Sequence, residues 1–79
     1  MSIDVQPLKD YLLKNIIKDK SSIFNDDKLF SSGLVDSFGT LDLIFFIKEQ
    51  YGKSIEDYDI ADNNTDTFDD LVNLINSKD

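Results

Sequence analysis

Apolar residues recur three and four positions apart in three segments of this chain, and that spacing makes helices the only regular structure the sequence requires. In the first segment Val5, Leu8, Leu12 and Ile16 form the stripe, with Leu13 and Ile17 widening it, which predicts a helix from about Asp4 to Asp19. Asp4 is placed to cap it, and Pro7 falls in the first turn, where its missing N–H costs little. Lys14, Lys18 and Lys20 suit the negative end of the helix dipole. In the second segment the run "LIFFI" taken alone fits a buried strand. Phe38, Leu41 and Phe45 on one side, and Ile44, Ile47 and Tyr51 on the other, carry the helical period beyond that run, and Gly52 is placed to stop it. The spacing predicts a helix from Ser37 to Tyr51, with an apolar arc wide enough to make it the central element, touching every other one. In the third segment Phe68, Leu71, Val72 and Ile75 repeat the pattern, and Thr67 stands three residues before Asp70 as in a capping box, giving a helix over 67–77.

Between these segments the period breaks. Residues 20–35, "KSSIFNDDKLFSSGLV", are punctuated by Ser, Asn, Asp and Gly and read as a long loop with at most a turn of helix. Ile23, Phe24, Leu29, Phe30, Leu34 and Val35 are dense enough in apolar surface to pin that loop to the core. "SIEDYDIADNNTD" is short and acidic, with Ile55, Tyr58 and Ile60 as anchors, and predicts about one turn of helix. The fold class expected is therefore all-α: a small four-helix bundle of three longer helices and one short third helix, with a long loop between helices 1 and 2. Seventy-nine residues leave room for a single domain, 1–79.

Composition excludes more than it selects. The chain has no cysteine and no histidine, which removes disulfides, thiolate metal sites, the usual general base near neutral pH and the commonest metal ligand. A serine–histidine catalytic arrangement cannot be assembled, so an enzyme is not expected. The start lacks the layout of a signal peptide and no apolar run approaches a membrane span, which points to a cytoplasmic protein without membrane insertion. The net charge of −8 is uneven: residues 1–28 hold five acids and five lysines, whereas residues 29–79 hold eleven acids against three lysines. Such a field repels nucleic acid and steers toward basic protein surfaces.

Specific chemistries fail on particular residues. With glycine only at 33, 39 and 52, neither a P-loop nor a dinucleotide fingerprint can be written. "GLVDSFG" is not a hydrolase elbow, because Val35 stands where that turn needs glycine. "DYDIADNNTDTF" is not a calcium loop: Ala61 fails the fifth ligand position and Phe68 the last. No metal site is expected. What remains is Ser37, at the point where polar sequence gives way to the second helix. Asp36 or Ser37 could cap that helix. A hydroxyl there is also where an attached phosphate would be stabilised by the dipole and by free N–H groups.

"LFSSGLVDSFGTLDLIFFIKEQYG" resembles the acyl carrier and peptidyl carrier proteins, whose signature is an Asp–Ser pair opening the second helix, followed by a bulky apolar residue and preceded by Leu-Phe and Gly. The likeness covers most of the chain, since the helices and the long loop come in the family's order. It implies that Ser37 accepts 4'-phosphopantetheine from coenzyme A through a phosphopantetheinyl transferase, and that the arm's thiol carries acyl or aminoacyl cargo as a thioester. It further implies a non-catalytic, monomeric carrier that an acyl- or aminoacyl-loading ligase charges and downstream transferases read, in fatty-acid, secondary-metabolite or cell-envelope biosynthesis. "DSFGT" is similar to stand-alone carriers of small cargo, D-alanyl carriers included. The resemblance implies a partner surface of Asp36, Phe38, Asp42 and Glu49, with Gly39 where the family often has an acid. Phe45 and Phe46 are bulkier than is common there; filling space between the helices would leave less room for a long acyl chain. The competing reading is an acidic protein-interaction module or nucleic-acid mimic, with Ser37 only a helix cap.

Overall fold

The computed structural model describes residues 3–18 and 20–78. Helix α1 (Gln6–Tyr11) runs without a break into a π-helical turn, Leu12–Ile16, and is followed by α2 (Ser37–Tyr51), α3 (Asp57–Asp62) and α4 (Phe68–Ser77). Among the described residues there is no strand, only an isolated antiparallel bridge between Lys28 and Thr67. No helix among them is long and apolar enough to cross a membrane. The chain is thus all-helical, with three longer segments and a short third helix in the expected order.

Helix α1 is shorter than its periodicity suggests. Asp4 is not its N-cap; Val5 is, while the Asp4 carboxylate accepts from the Gln6 amide at 3.1 Å. At the other end Ile17 is extended (φ −105°, ψ 99°) and buried. Two successive β-branched isoleucines disfavour continued helix. Ile17 therefore anchors the start of the loop instead of widening the helical stripe. Asp19, the expected last residue of this helix, lies outside the described residues.

The core is built from Leu8, Leu12, Ile17, Ile23, Leu29, Leu43, Ile47, Ile55, Leu71 and Ile75, with Phe68 as its one fully buried aromatic. Helix α2 has the predicted bounds and ends where Gly52 takes a left-handed conformation (φ 69°) and donates to the Lys48 carbonyl. It does not bury the wide arc expected of it. Leu43 and Ile47 are its fully buried residues, whereas Phe38, Leu41 and Phe45 face solvent. Both faces of the helix are apolar, and a spacing pattern cannot say which one the rest of the chain covers.

The long loop is stapled to the start of α4. The Phe68 amide donates to the Asp27 carbonyl at 3.0 Å and the Asp69 amide to the Asn25 carbonyl at 2.9 Å, while Asp70's amide goes to Thr67 Oγ1 at 3.0 Å. Groups that a helix start leaves orphaned are thereby satisfied by the loop and the cap. In return Leu29 donates to the Asp66 carbonyl at 2.7 Å, and the Asp66 carboxylate accepts from the amides of Phe30 and Ser31. Of the apolar loop residues, Ile23, Leu29 and Val35 are buried and Phe30 and Leu34 half-buried, but Phe24 is exposed. Tyr58 in α3 is likewise exposed, so Ile55 and Ile60 are the apolar anchors of that segment, beside the ion pair of Asp59 with Lys78 at 3.0 Å.

Four carboxylates in these turns sit below the ordinary aspartate value of 3.8. The Phe24 amide and then Lys20 lower Asp27; the Glu56 amide and Lys78 lower Asp59; the Ser31 hydroxyl and amide lower Asp66; the Thr67 and Asp66 amides lower Asp70. A depressed folded-state pKa contributes stability above the unfolded value, and that contribution is lost as pH falls through the folded value. The thermal midpoint is therefore expected to stay level from about pH 7 to 5 and to drop below about pH 4. Asp66→Asn should flatten part of that drop when melts are followed by circular dichroism; an unchanged acid limb would contradict the assignment.

Candidate functional site

Asp36 and Ser37 lie where the stapled loop meets α2. Val35 is buried and donates its amide to the Leu29 carbonyl at 2.8 Å, which fixes the chain immediately before the pair. Asp36 is extended (φ −86°, ψ −171°), and its carboxylate accepts from the Gly39 amide at 2.7 Å. Its carbonyl accepts from the Thr40 amide and from Thr40 Oγ1, each at 2.8 Å. The N-cap is therefore Asp36, which decides between the two capping residues the sequence left open. Ser37 is the first residue of α2 and is exposed. The amides of Gly39 and Thr40 are thus engaged, which leaves those of Ser37 and Phe38 as the helix-start donors without a partner among the described residues.

Two surface grooves flank this end of α2. One, of about 250 Å³, is lined by Ser37, Thr40 and Leu41 of α2 and by Asp57 of α3. The other, of about 260 Å³, lies against the end of α1 and includes Asn15, Ile16, Asp36, Phe38 and Asp42. Phe38, Leu41 and Phe45 are 83%, 61% and 66% exposed and recur at i, i+3 and i+7, so they form one apolar stripe leading away from Ser37. Large apolar side chains clustered in this way on a small protein mark an interaction surface more often than chance exposure does.

The remaining expected partner residues are distributed differently. Glu49 is exposed near the far end of α2. Asp42 accepts a hydrogen bond from the Tyr11 hydroxyl at 2.6 Å, and that bond is the main cause of Tyr11 titrating above its ordinary range. Tyr11 stacks on Phe46 with ring centroids 4.1 Å apart, and Phe46 meets Tyr51 edge-on. Asp42 thus belongs to a packed seam between α1 and α2, while Phe38, beside Ser37, faces outward. Phe45 is exposed, whereas Phe46 is half-buried against Tyr11, packed on the core in the seam between α1 and α2.

No group of three or more potential metal-ligating side chains is present among the described residues. Sequence reasoning missed Tyr11 and Asp66; their partners lie 31 and 36 residues away, where no local spacing pattern reaches. Compared with known proteins, the chain matches no family model, no curated protein and no solved structure.

Proposed function

We propose that this protein is a carrier of the acyl or peptidyl carrier type, a four-helix bundle that holds a 4'-phosphopantetheine arm on Ser37 and presents its cargo to partner enzymes. The observation that carries the reading is the division of labour at the start of α2. Asp36 does the capping, and the adjacent Ser37 is exposed at the first position of the helix. A serine kept only as a cap would itself close the helix.

The residues suit such an arm. Its phosphodiester would meet the amides of Ser37 and Phe38 at the positive end of the dipole. Asp36 carries charge of the same sign as that phosphate, so its contribution is to fix the first turn rather than to attract the group. The groove of Ser37, Thr40, Leu41 and Asp57 gives the proximal part of the arm a wall to lie along. The arm supplies the thiol that carries cargo as a thioester; this chain supplies the attachment hydroxyl and the surface that partners read. That surface is the Phe38, Leu41 and Phe45 stripe within an acidic field, fitted to brief encounters in which charge raises the on-rate. A phosphopantetheinyl transferase, a loading ligase and a downstream acyl or aminoacyl transferase are the partners this reading requires, with catalysis left to them.

Incubation with coenzyme A and a broad-specificity phosphopantetheinyl transferase is expected to raise the intact mass by one phosphopantetheine. Ser37→Ala is expected to gain nothing under the same conditions. An unmodified parent protein, or an equal gain in the variant, would refute the proposal.

A further inference from the structure

Gly39 lies in the first turn of α2, in a conformation that does not require glycine, since the positive-φ glycines are Gly33 and Gly52. What a side chain would lack is room, by a few tenths of an ångström. A Cβ at this position would stand 3.0 Å from Cγ2 of Ile16, 3.3 Å from Oδ1 of Asp36 and 3.3 Å from Cγ1 of Val35. Three elements meet on this one Cα: the last residue of the π-helical turn, the end of the stapled loop and the capping carboxylate. Ile16 cannot easily give way, because a β-branched side chain in a helical turn has little freedom at χ1. Glycine inside a helix is otherwise unfavourable relative to alanine.

We infer that Gly39 is a positioning residue for modification of Ser37: lacking a side chain, it lets Ile16 seat directly against the first turn of α2 and so fixes how Ser37 and Phe38 are presented. Two residues on from Ser37, at 100° per residue, Gly39 points to the far side of the same turn. Displacement at the seat therefore tilts the attachment hydroxyl without touching it. The Gly39 amide is also the donor to Asp36, so a shift there loosens the cap at the same time. The inference rests on the carrier reading above, and it adds that Ile16, the last residue of the π-helical turn after α1, sets the geometry of the attachment site.

The test is the steady-state kinetics of phosphopantetheinyl transfer to the full chain. Gly39→Ala asks its neighbours to give by a few tenths of an ångström and is expected to lower kcat/KM about tenfold, less than the roughly hundredfold that a misplacement near 1 Å can cost. Ile16→Leu removes the Cγ2 branch at nearly constant volume, and in the double variant it is expected to restore the rate to within about twofold. Ile75→Val, a core change remote from α2's start, is the control for lost stability and should leave kcat/KM unchanged. Gly39→Ala modified as fast as the parent overturns the inference while the carrier reading stands; a parent that is never modified overturns the carrier reading itself. A rate that Ile16→Leu does not restore, or a loss shared by Ile75→Val, also overturns it. Should Gly39→Ala alone fail to fold, the double variant decides: folded with near-parent kinetics supports the seat, and unfolded or slow contradicts it.

Discussion

Phe68→Ala is expected to leave the protein largely unfolded well below the parent's melting temperature. Phe68 is 1% exposed and is the one aromatic ring fully inside the core, with the Lys9 ammonium over the ring at 5.3 Å from its centroid. Deleting a buried phenylalanine costs about 3–5 kcal/mol through lost transfer energy and the cavity left behind. A chain of this size holds roughly 4–12 kcal/mol in all, at 0.05–0.15 kcal/mol per residue. A quarter or more of the total is at stake, and the midpoint should fall by more than about 10 °C. Phe68 also opens α4, so losing its ring weakens the packing beneath the helix start on which Asn25 and Asp27 dock through backbone bonds. Denaturant melts read the effect; a loss under about 1 kcal/mol would mean that the core is not organised around this ring.

Leu29→Ala is expected to be nearly as costly, at about 2–5 kcal/mol, but to fail in a different order. Leu29 is fully buried, and its backbone makes two of the staples: its amide goes to Asp66 and its carbonyl receives Val35. Truncating the side chain should release the loop before the helices part. Hydrogen exchange is expected to show the amides of Leu29, Val35 and Phe68 losing protection at a lower free energy than those in the middle of α2. Uniform loss of protection across the chain would contradict this ordering. The consequence for function is direct, since Val35 holds the chain immediately ahead of Asp36 and Ser37.

What was legible in the sequence was local. The bounds of α2 could be read because Asp36 and Gly52 are capping residues adjacent to the apolar pattern they delimit. The Thr67–Asp70 box marked α4 for the same reason, and the structure has both of its reciprocal bonds. The choice between Asp36 and Ser37 as cap could not be read, because both residues are suited to it and only the backbone decides. Nor could the side of α2 that meets solvent: Phe38, Leu41 and Phe45 share a helical period with one another just as Leu43 and Ile47 do. The wide apolar arc, taken as a sign of burial, is in part an exposed stripe beside Ser37. The ends of α1 were misjudged because Ile17 satisfies a helical period while adopting an extended backbone. Asp66, the carboxylate that ties the loop down, belongs to no motif; it matters only because folding brings Phe30 and Ser31 to it.

The most direct test is fragmentation mass spectrometry of the parent protein after incubation with coenzyme A and a phosphopantetheinyl transferase, locating the added group on the chain. One phosphopantetheine on Ser37, and none on neighbouring serines such as Ser31 or Ser32, is the expected result. No addition, or addition at a different residue, would contradict the assignment of this exposed hydroxyl as the attachment point.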